Sequence, residues 1–325
     1  MKTDSEKISV GVVGVGSMGK NHARVLSQIS DCHFAGIYDT DQSRVREICE
    51  LYSCIGFDDF DELANTVEAI VIAAPTSLHG TLGERCLNQG LHILMEKPLA
   101  ANLREAEKLV QLAERNQLIL MVGHIERYNP AVSLMIEKIK EYQEQVVSFE
   151  ARRLNPFDGT RCMDVDVLYD LLIHDVDLAL DIAGSDISNI WAVGRKIYSD
   201  LIDDAHTLVQ FNNGVVASFW TSRCSPRKIR EINLTTRSRF YHADCVTRSL
   251  EIHCSKNVNE NENWPCCMGD ISVQEFVHLD KEPLKAEMED FIRSVKNHSS
   301  PTTNGKRALD SLIFLDKISR TITSN

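Results

Sequence analysis

Over the first 122 positions, short apolar runs alternate with stretches of helical spacing. The runs at 8–13, 33–38, 69–73, 91–95 and 118–122 read as strands, and 18–29, 42–51, 78–89 and 103–115 read as helices. In the last of these, Leu103, Ala106, Leu109, Val110 and Ala113 fall on one face. Strands alternating with helices predict a parallel sheet with right-handed crossovers. Beyond about residue 145 the pattern changes. A strand at 146–154 and one long helix at 164–183, ended by Gly184, precede strand-like runs at 190–198, 206–211, 214–222, 229–237, 250–254 and 271–278. Asn212-Asn213-Gly214 marks a hairpin, and strands that follow one another without helices predict an antiparallel sheet. Helices at 284–296 and 305–322 close the chain. The polar segment 257–263 reads as an exposed loop.

One segment gives the first half a chemistry. Gly14-Val15-Gly16-Ser17-Met18-Gly19 leaves the first strand and opens the first helix, and Asp39 lies twenty residues past Gly19 at the end of the second strand. In that setting G-x-G-x-x-G is the dinucleotide-binding fingerprint of a Rossmann domain. Gly14 permits the tight turn, Gly16 lets the backbone approach a pyrophosphate, and Gly19 lets the helix pack on the sheet. The pyrophosphate then sits at the positive end of the helix, beside Ser17 and Met18. Asp39 suits two ribose hydroxyls and repels a 2′-phosphate, and Thr40 rather than an arginine follows, so NAD is expected over NADP. The expected fold class is therefore α/β: a doubly wound Rossmann sheet over residues 1–124, then an α+β domain over 125–325 with a large open, mostly antiparallel sheet. The C-terminal helix is free to pack back on the first domain. A bare sheet face is costly to leave in water, so a homodimer or homotetramer through that sheet is expected.

Composition narrows the partners. The chain carries 35 basic and 47 acidic residues, a net charge of −12, which argues against nucleic acid or an anionic membrane. No apolar run approaches a membrane span, and the first strand begins within ten residues, leaving no room for a signal peptide. The ten cysteines are scattered without a CxxC pair, and Cys266-Cys267 lacks the spacing of a zinc site. A cytoplasmic protein with reduced cysteines and no metal is the expectation.

Three further segments carry candidate chemistry. Glu96-Lys97-Pro98 directly follows a predicted strand, and in a doubly wound sheet ligands lie beyond the carboxyl ends of strands. Taken alone, Lys97 is equally a surface lysine in a strand–helix loop. Asp166, Asp170, His174 and Asp177 form a polar stripe on an otherwise apolar helix, which suits a proton-transfer group or a packing salt-bridge network. Ala73 to His79 joins small residues to Pro75 and Thr76 at a strand end, leaving room for a flat ring with His79 near the nicotinamide.

Together these residues resemble the Gfo/Idh/MocA family of NAD(P)-dependent sugar and cyclitol oxidoreductases, in the family's order and over essentially the whole chain. The resemblance implies that Lys97 lies between the substrate hydroxyl and the nicotinamide, beside Glu96. It implies that Asp170 and His174 contact sugar hydroxyls, with Lys97 or His174 the proton acceptor. Arg127-Tyr128-Asn129-Pro130 resembles the family's substrate-side segment. The stretches 122–130 and 172–178 are similar to the nucleotide-sugar branch, the UDP-N-acetylglucosamine 3-dehydrogenases. That branch implies oxidation of the C3 hydroxyl to a ketone that an aminotransferase uses on the way to lipid A. Arg223, Arg227, Lys228, Arg230, Arg237 and Arg239, against the single acid Glu231, form a basic run that suits a diphosphate or else a solvated strand face. Arg152, Arg153 and Arg161 are further candidates, and Cys162 and Met163 stand near the same segment. An inositol or free-sugar dehydrogenase would use the same residues without a phosphate site. A non-catalytic NAD-binding regulator would need neither Lys97 nor His174.

Overall fold

Ile8–Val13 (β1), Cys32–Tyr38 (β2), Ile55–Phe57 (β3), Ala69–Ile72 (β4), His92–Met95 (β5) and Leu120–Val122 (β6) form one sheet in the order β3-β2-β1-β4-β5-β6. Every pair in it is parallel. The central strands are continuous apolar runs because both faces are covered; all four residues of β4 are buried. The covering helices are Ser17–Leu26 (α1), Gln42–Tyr52 (α2), Phe60–Ala64 (α3), His79–Asn88 (α4) and Leu103–Asn116 (α5). The strand order reverses between β1 and β4, which leaves a crevice beyond their carboxyl ends. The computed structural model describes residues 7–157, 165–255, 271–277 and 281–323. Arg161, Cys162, Met163, the 257–263 segment and Cys266-Cys267 lie outside them.

A second sheet holds eight strands: Val146–Leu154 (β7), Ile187–Arg195 (β8), Asp204–Phe211 (β9), Val216–Ser222 (β10), Ile229–Thr236 (β11), Arg239–Asp244 (β12), Ser249–Ser255 (β13) and Ile271–Val277 (β14). Their order is β14-β13-β12-β11-β7-β10-β9-β8, antiparallel except for the parallel pair β7–β10. The predicted hairpin joins β9 and β10, with Asn213 Oδ1 accepting from Val215 N at 3.2 Å. One face packs on Pro130–Glu141 (α6) and on Ile173–Ala183 (α7), around Phe149, Phe211, Phe219 and Tyr241. The other face is bare and shows Trp191, Val193, Leu208 and Trp220 to solvent.

Two expected elements differ. The long helix predicted at 164–183 is broken by a π-helical turn, Leu168–Leu172, before α7 begins, and Asp166 Oδ1 accepts from Leu168 N at 3.0 Å at its start. The strand predicted at 190–198 ends at Arg195, because the amides of Ile197, Tyr198 and Ser199 turn onto the fully buried Asp203 carboxylate, at 2.7, 2.7 and 3.0 Å.

Pro283–Asn297 (α8) and Gly305–Thr323 (α9) end the chain. The molecule divides into Met1–Ile125 with Pro283–Leu312, and Glu126–Glu282 with Ile313–Asn325. In the first unit the returning segment covers the edge strand β6, where Val122 N donates to Thr303 O at 2.8 Å. In the second, Phe314, Leu315 and Ile318 join the core beneath the sheet. Among the described residues no helix is long and apolar enough to cross a membrane.

Candidate active site

The first unit builds a dinucleotide cradle from its glycine loop. Gly14 has a φ of +82°, in the left-handed region, and its N–H donates to Tyr38 O at 2.8 Å. A Cβ on Gly19 would fall 1.8 Å from Gly14 O, so α1 starts in direct contact with the turn. Gly16 is different, since nothing lies within 4 Å of where its Cβ would be. It is the N-cap of α1, which has no side-chain cap and no acid in its first turn, whereas α2, α3 and α5 are capped by Asp41, Asp59 and Asn102. Ser17 and Met18 are exposed at that end. Open space over Gly16 beside uncapped amides is the environment a pyrophosphate requires. Asp39 is held next to it by the backbone: Oδ2 accepts from Val15 N at 2.7 Å and Oδ1 from Asp41 N at 2.8 Å. These residues fit a bound dinucleotide.

At the end of β4, Pro75 is exposed and Thr76 half-buried. His79, expected from sequence near the nicotinamide, stands at the start of α4. Its ring is buried, with Nδ1 2.8 Å from Pro98 O and Nε2 3.0 Å from Ala74 O, so it ties the 74–79 turn to the loop after β5. In that loop Lys97 is half-buried and the Lys97–Pro98 peptide is cis. Glu96 is buried, with Oε1 2.7 Å from Nε2 of the fully buried His22 and Oε2 accepting from Lys97 N at 3.3 Å. Burial acts to raise the Glu96 pKa, but the hydrogen bond and charge of His22 and the charge of Lys97 outweigh it and leave it lowered. On α8, Glu287 is buried, and neither carboxylate oxygen has a hydrogen-bond partner among the described residues. Burial first, then the nearby Glu96 and Asp290, push its pKa well up. Neither His22 nor Glu287 was singled out from sequence; a histidine on the apolar face of α1, between Gly19, Ala23 and Leu26, was the available signal.

The second unit carries the remaining candidates. Asp170 is half-buried inside the π turn, and His174 is buried at the start of α7. The polar stripe expected around them divides its work. Asp166 caps the turn, and Asp177 pairs with Arg127. Asp175 grips Arg153 through two bonds, Nε to Oδ2 at 2.9 Å and Nη2 to Oδ1 at 2.7 Å. Arg153 also donates to Glu126 Oε1 at 2.8 Å, and all three are buried. Burial alone would lower the Arg153 pKa, and the two carboxylates more than offset it.

Arg127 and Asn129, expected from sequence to contact substrate, are buried and hydrogen-bonded within the second unit. Arg127 donates to the Asp177 carboxylate, to Asp177 O at 2.8 Å and to Asp181 at 2.8 Å. Asn129 caps α6 through Ala131 N and donates to Cys245 O at 2.9 Å. Tyr128 between them is half-buried. Strand parity separates Arg152 from this group. It lies on the bare face, paired with Glu231 and 5.5 Å above the Trp220 ring, while its neighbour Arg153 points to α7. The basic run is likewise dispersed: Arg223 lies by Asp203, and Arg239 pairs with Glu144.

With this geometry in place, likeness to known proteins is decisive. Residues 8–124 match the oxidoreductase family Gfo/Idh/MocA, NAD-binding Rossmann fold, and residues 145–258 match the Gfo/Idh/MocA C-terminal domain. A UDP-N-acetylglucosamine 3-dehydrogenase from Acidithiobacillus ferrooxidans is 33% identical over 290 residues, covering 89% of this chain and 88% of that protein. The chain belongs to the Gfo/Idh/MocA oxidoreductase family. Its fold agrees: the crystal structure of that Acidithiobacillus ferrooxidans enzyme superposes with a TM-score of 0.87 at 28% identity, covering 98% of each chain. A myo-inositol 2-dehydrogenase from Thermotoga maritima is 23% identical over 91% of each chain. The structure of a levoglucosan dehydrogenase complexed with NADH and levoglucosan shares the fold, with a TM-score of 0.88 at 18% identity over 98% of each chain. As a member of this family the protein is a dehydrogenase with NAD as cofactor.

Proposed function

We propose that the enzyme oxidises the C3 hydroxyl of UDP-N-acetylglucosamine to the 3-keto nucleotide-sugar. The observation that carries this reading is the 33% identity to a UDP-N-acetylglucosamine 3-dehydrogenase along 89% of the chain. Bound NAD supplies the hydride acceptor. The protein's own residues do the rest. The uncapped start of α1 and the open space at Gly16 hold the cofactor's pyrophosphate, and Asp39 takes the adenosine ribose. Lys97, on the loop after β5, or His174, at the start of α7, accepts the hydroxyl proton. A cation near the forming oxyanion lowers the barrier, and Asp170 orients the sugar. Arg153, with Glu126, anchors α7, the helix that carries His174, through Asp175.

The bare face of the second sheet, with Trp191, Val193, Leu208 and Trp220 exposed, supports association into a homodimer or homotetramer. The free thiols of Cys32, Cys49, Cys54, Cys86, Cys224, Cys245 and Cys254 fit a cytoplasmic location. The keto product suits amination on the way to a diamino-sugar of lipid A. The myo-inositol 2-dehydrogenase relative makes a cyclitol the second reading.

Incubation with NAD and either UDP-N-acetylglucosamine or myo-inositol separates the two. NADH together with a nucleotide-sugar two hydrogens lighter by mass is the expected result. NADH from inositol alone would overturn the nucleotide-sugar reading.

A further inference from the structure

Arg230 stands across the β11–β7 ladder from Arg153, on the same face of the second sheet. Like charges placed directly opposite are unfavourable, so both need carboxylates. Arg153 takes nearly all that is available. It holds Asp175 by two bonds and Glu126 Oε1 at 2.8 Å, while Asn129 Nδ2 reaches Glu126 Oε2 at 3.2 Å. Arg230 reaches Glu126 Oε1 only at 3.4 Å, and its buried Nε has no partner among the described residues. Lys228 adds a third cation. The charge of Arg230, then burial and the charge of Arg153, depress its pKa, with Glu126 opposing. Arg230 is depressed in turn by its burial and by Arg153, with Glu126, Cys245 and Asp175 opposing. The cluster therefore sets Arg153, Arg230 and Lys228 against Glu126 and Asp175. Among the described residues it carries one positive charge in excess, in a chain whose net charge is −12. Arg230 is partly and Lys228 largely open to solvent, so an anion has access to both.

We propose that Arg230 and Lys228 form an anion seat that takes the diphosphate of the substrate. It rests on the nucleotide-sugar reading above and names the residues that would select a phosphorylated sugar over a neutral one. A diphosphate oxygen supplies the acceptor that Arg230 Nε lacks and neutralises the surplus charge. Arg223 and Arg239 already have acidic neighbours, and Arg152 lies on the other face.

The test is calorimetric titration of the full-length enzyme with inorganic pyrophosphate, in saturating NAD so that the glycine loop is filled. Wild type is expected to bind pyrophosphate. Arg230→Gln and Lys228→Ala are each expected to weaken it tenfold or more, with the affinity for NAD unchanged. Lys228 is on the surface, so its variant keeps the test valid if Arg230→Gln folds poorly. No binding by wild type, or equal binding by Lys228→Ala, would overturn the seat. Turnover is read separately. Pyrophosphate binding that depends on Lys228, without oxidation of UDP-N-acetylglucosamine, keeps the seat and removes the substrate. Oxidation with an unchanged KM in both variants removes the seat and keeps the substrate.

Discussion

Nε2 of His22 lies 2.7 Å from Oε1 of Glu96, and the histidine is wholly enclosed. This pair sits directly behind the Lys97 loop, because Glu96 also accepts the Lys97 amide. His22→Ala would leave a carboxylate buried without its partner, at a cost of about 3 kcal/mol in stability. Glu96 has a lowered folded pKa, so the stability it contributes is present above the unfolded value of about 4.3 and lost as pH falls through the folded value. Urea unfolding at pH 7 and pH 4 checks both points: the gap between wild type and His22→Ala should narrow on acidification.

Gly16 and Gly19 separate binding from folding. An alanine at position 19 meets Gly14 O at 1.8 Å, whereas one at position 16 meets nothing within 4 Å. Gly16→Val is therefore expected to keep the wild-type melting temperature and lose NAD affinity by at least tenfold. Gly19→Ala is expected to melt well below wild type. Calorimetric melting with NAD titration distinguishes them; a Gly16→Val enzyme with full NAD affinity would contradict the assignment of the cradle.

Asp39 accepts from the Val15 and Asp41 amides, and we propose that it also takes the ribose. Asp39→Ala is expected to lose about 1–3 kcal/mol of stability, because two amides lose their acceptor. It should also reduce the preference for NAD over NADP at least tenfold in kcat/KM. An unchanged cofactor ratio would place ribose recognition elsewhere.

Glu287 reverses the sign found for Glu96. Its folded pKa is raised by burial and by Glu96 and Asp290, so the folded state holds the proton more tightly than the unfolded chain. Its contribution is full below about pH 4.3 and declines as pH rises toward the folded value, at up to about 1.4 kcal/mol per pH unit. Glu287→Gln removes that slope. The variant should gain on wild type between pH 5 and pH 8 in denaturant unfolding, and parallel profiles would show that Glu287 is ionised.

The parallel sheet was legible because its strands are continuous apolar runs between punctuating glycines, and β1 falls at 8–13 as expected. Four elements were not, and one of them is α6, Pro130–Glu141, where 127–130 was read only as a substrate-side segment. β3 spans three residues, mostly exposed; α3 is five residues long; and the polar sequence of β12 shows inward positions only at Tyr241 and Ala243. The π turn is invisible to a 3.6-residue period, which reads straight through it. The glycine turn and Asp39 are local features, so the Rossmann character of the first unit was readable. The protein partners of Arg127, Asn129 and Arg152 were not. Whether an arginine meets Asp177 or the bare face depends on tertiary partners and strand parity, and composition carries neither.

The central claim is tested most directly by one turnover. Stoichiometric wild type and Lys97→Met are each mixed with NAD and UDP-N-acetylglucosamine, and NADH is followed at 340 nm. Wild type is expected to form NADH with the 3-keto nucleotide-sugar, while Lys97→Met binds NAD and forms at least a hundredfold less in the same time. No NADH from NAD-loaded wild type would contradict the substrate, and equal NADH from Lys97→Met would contradict the place given to Lys97.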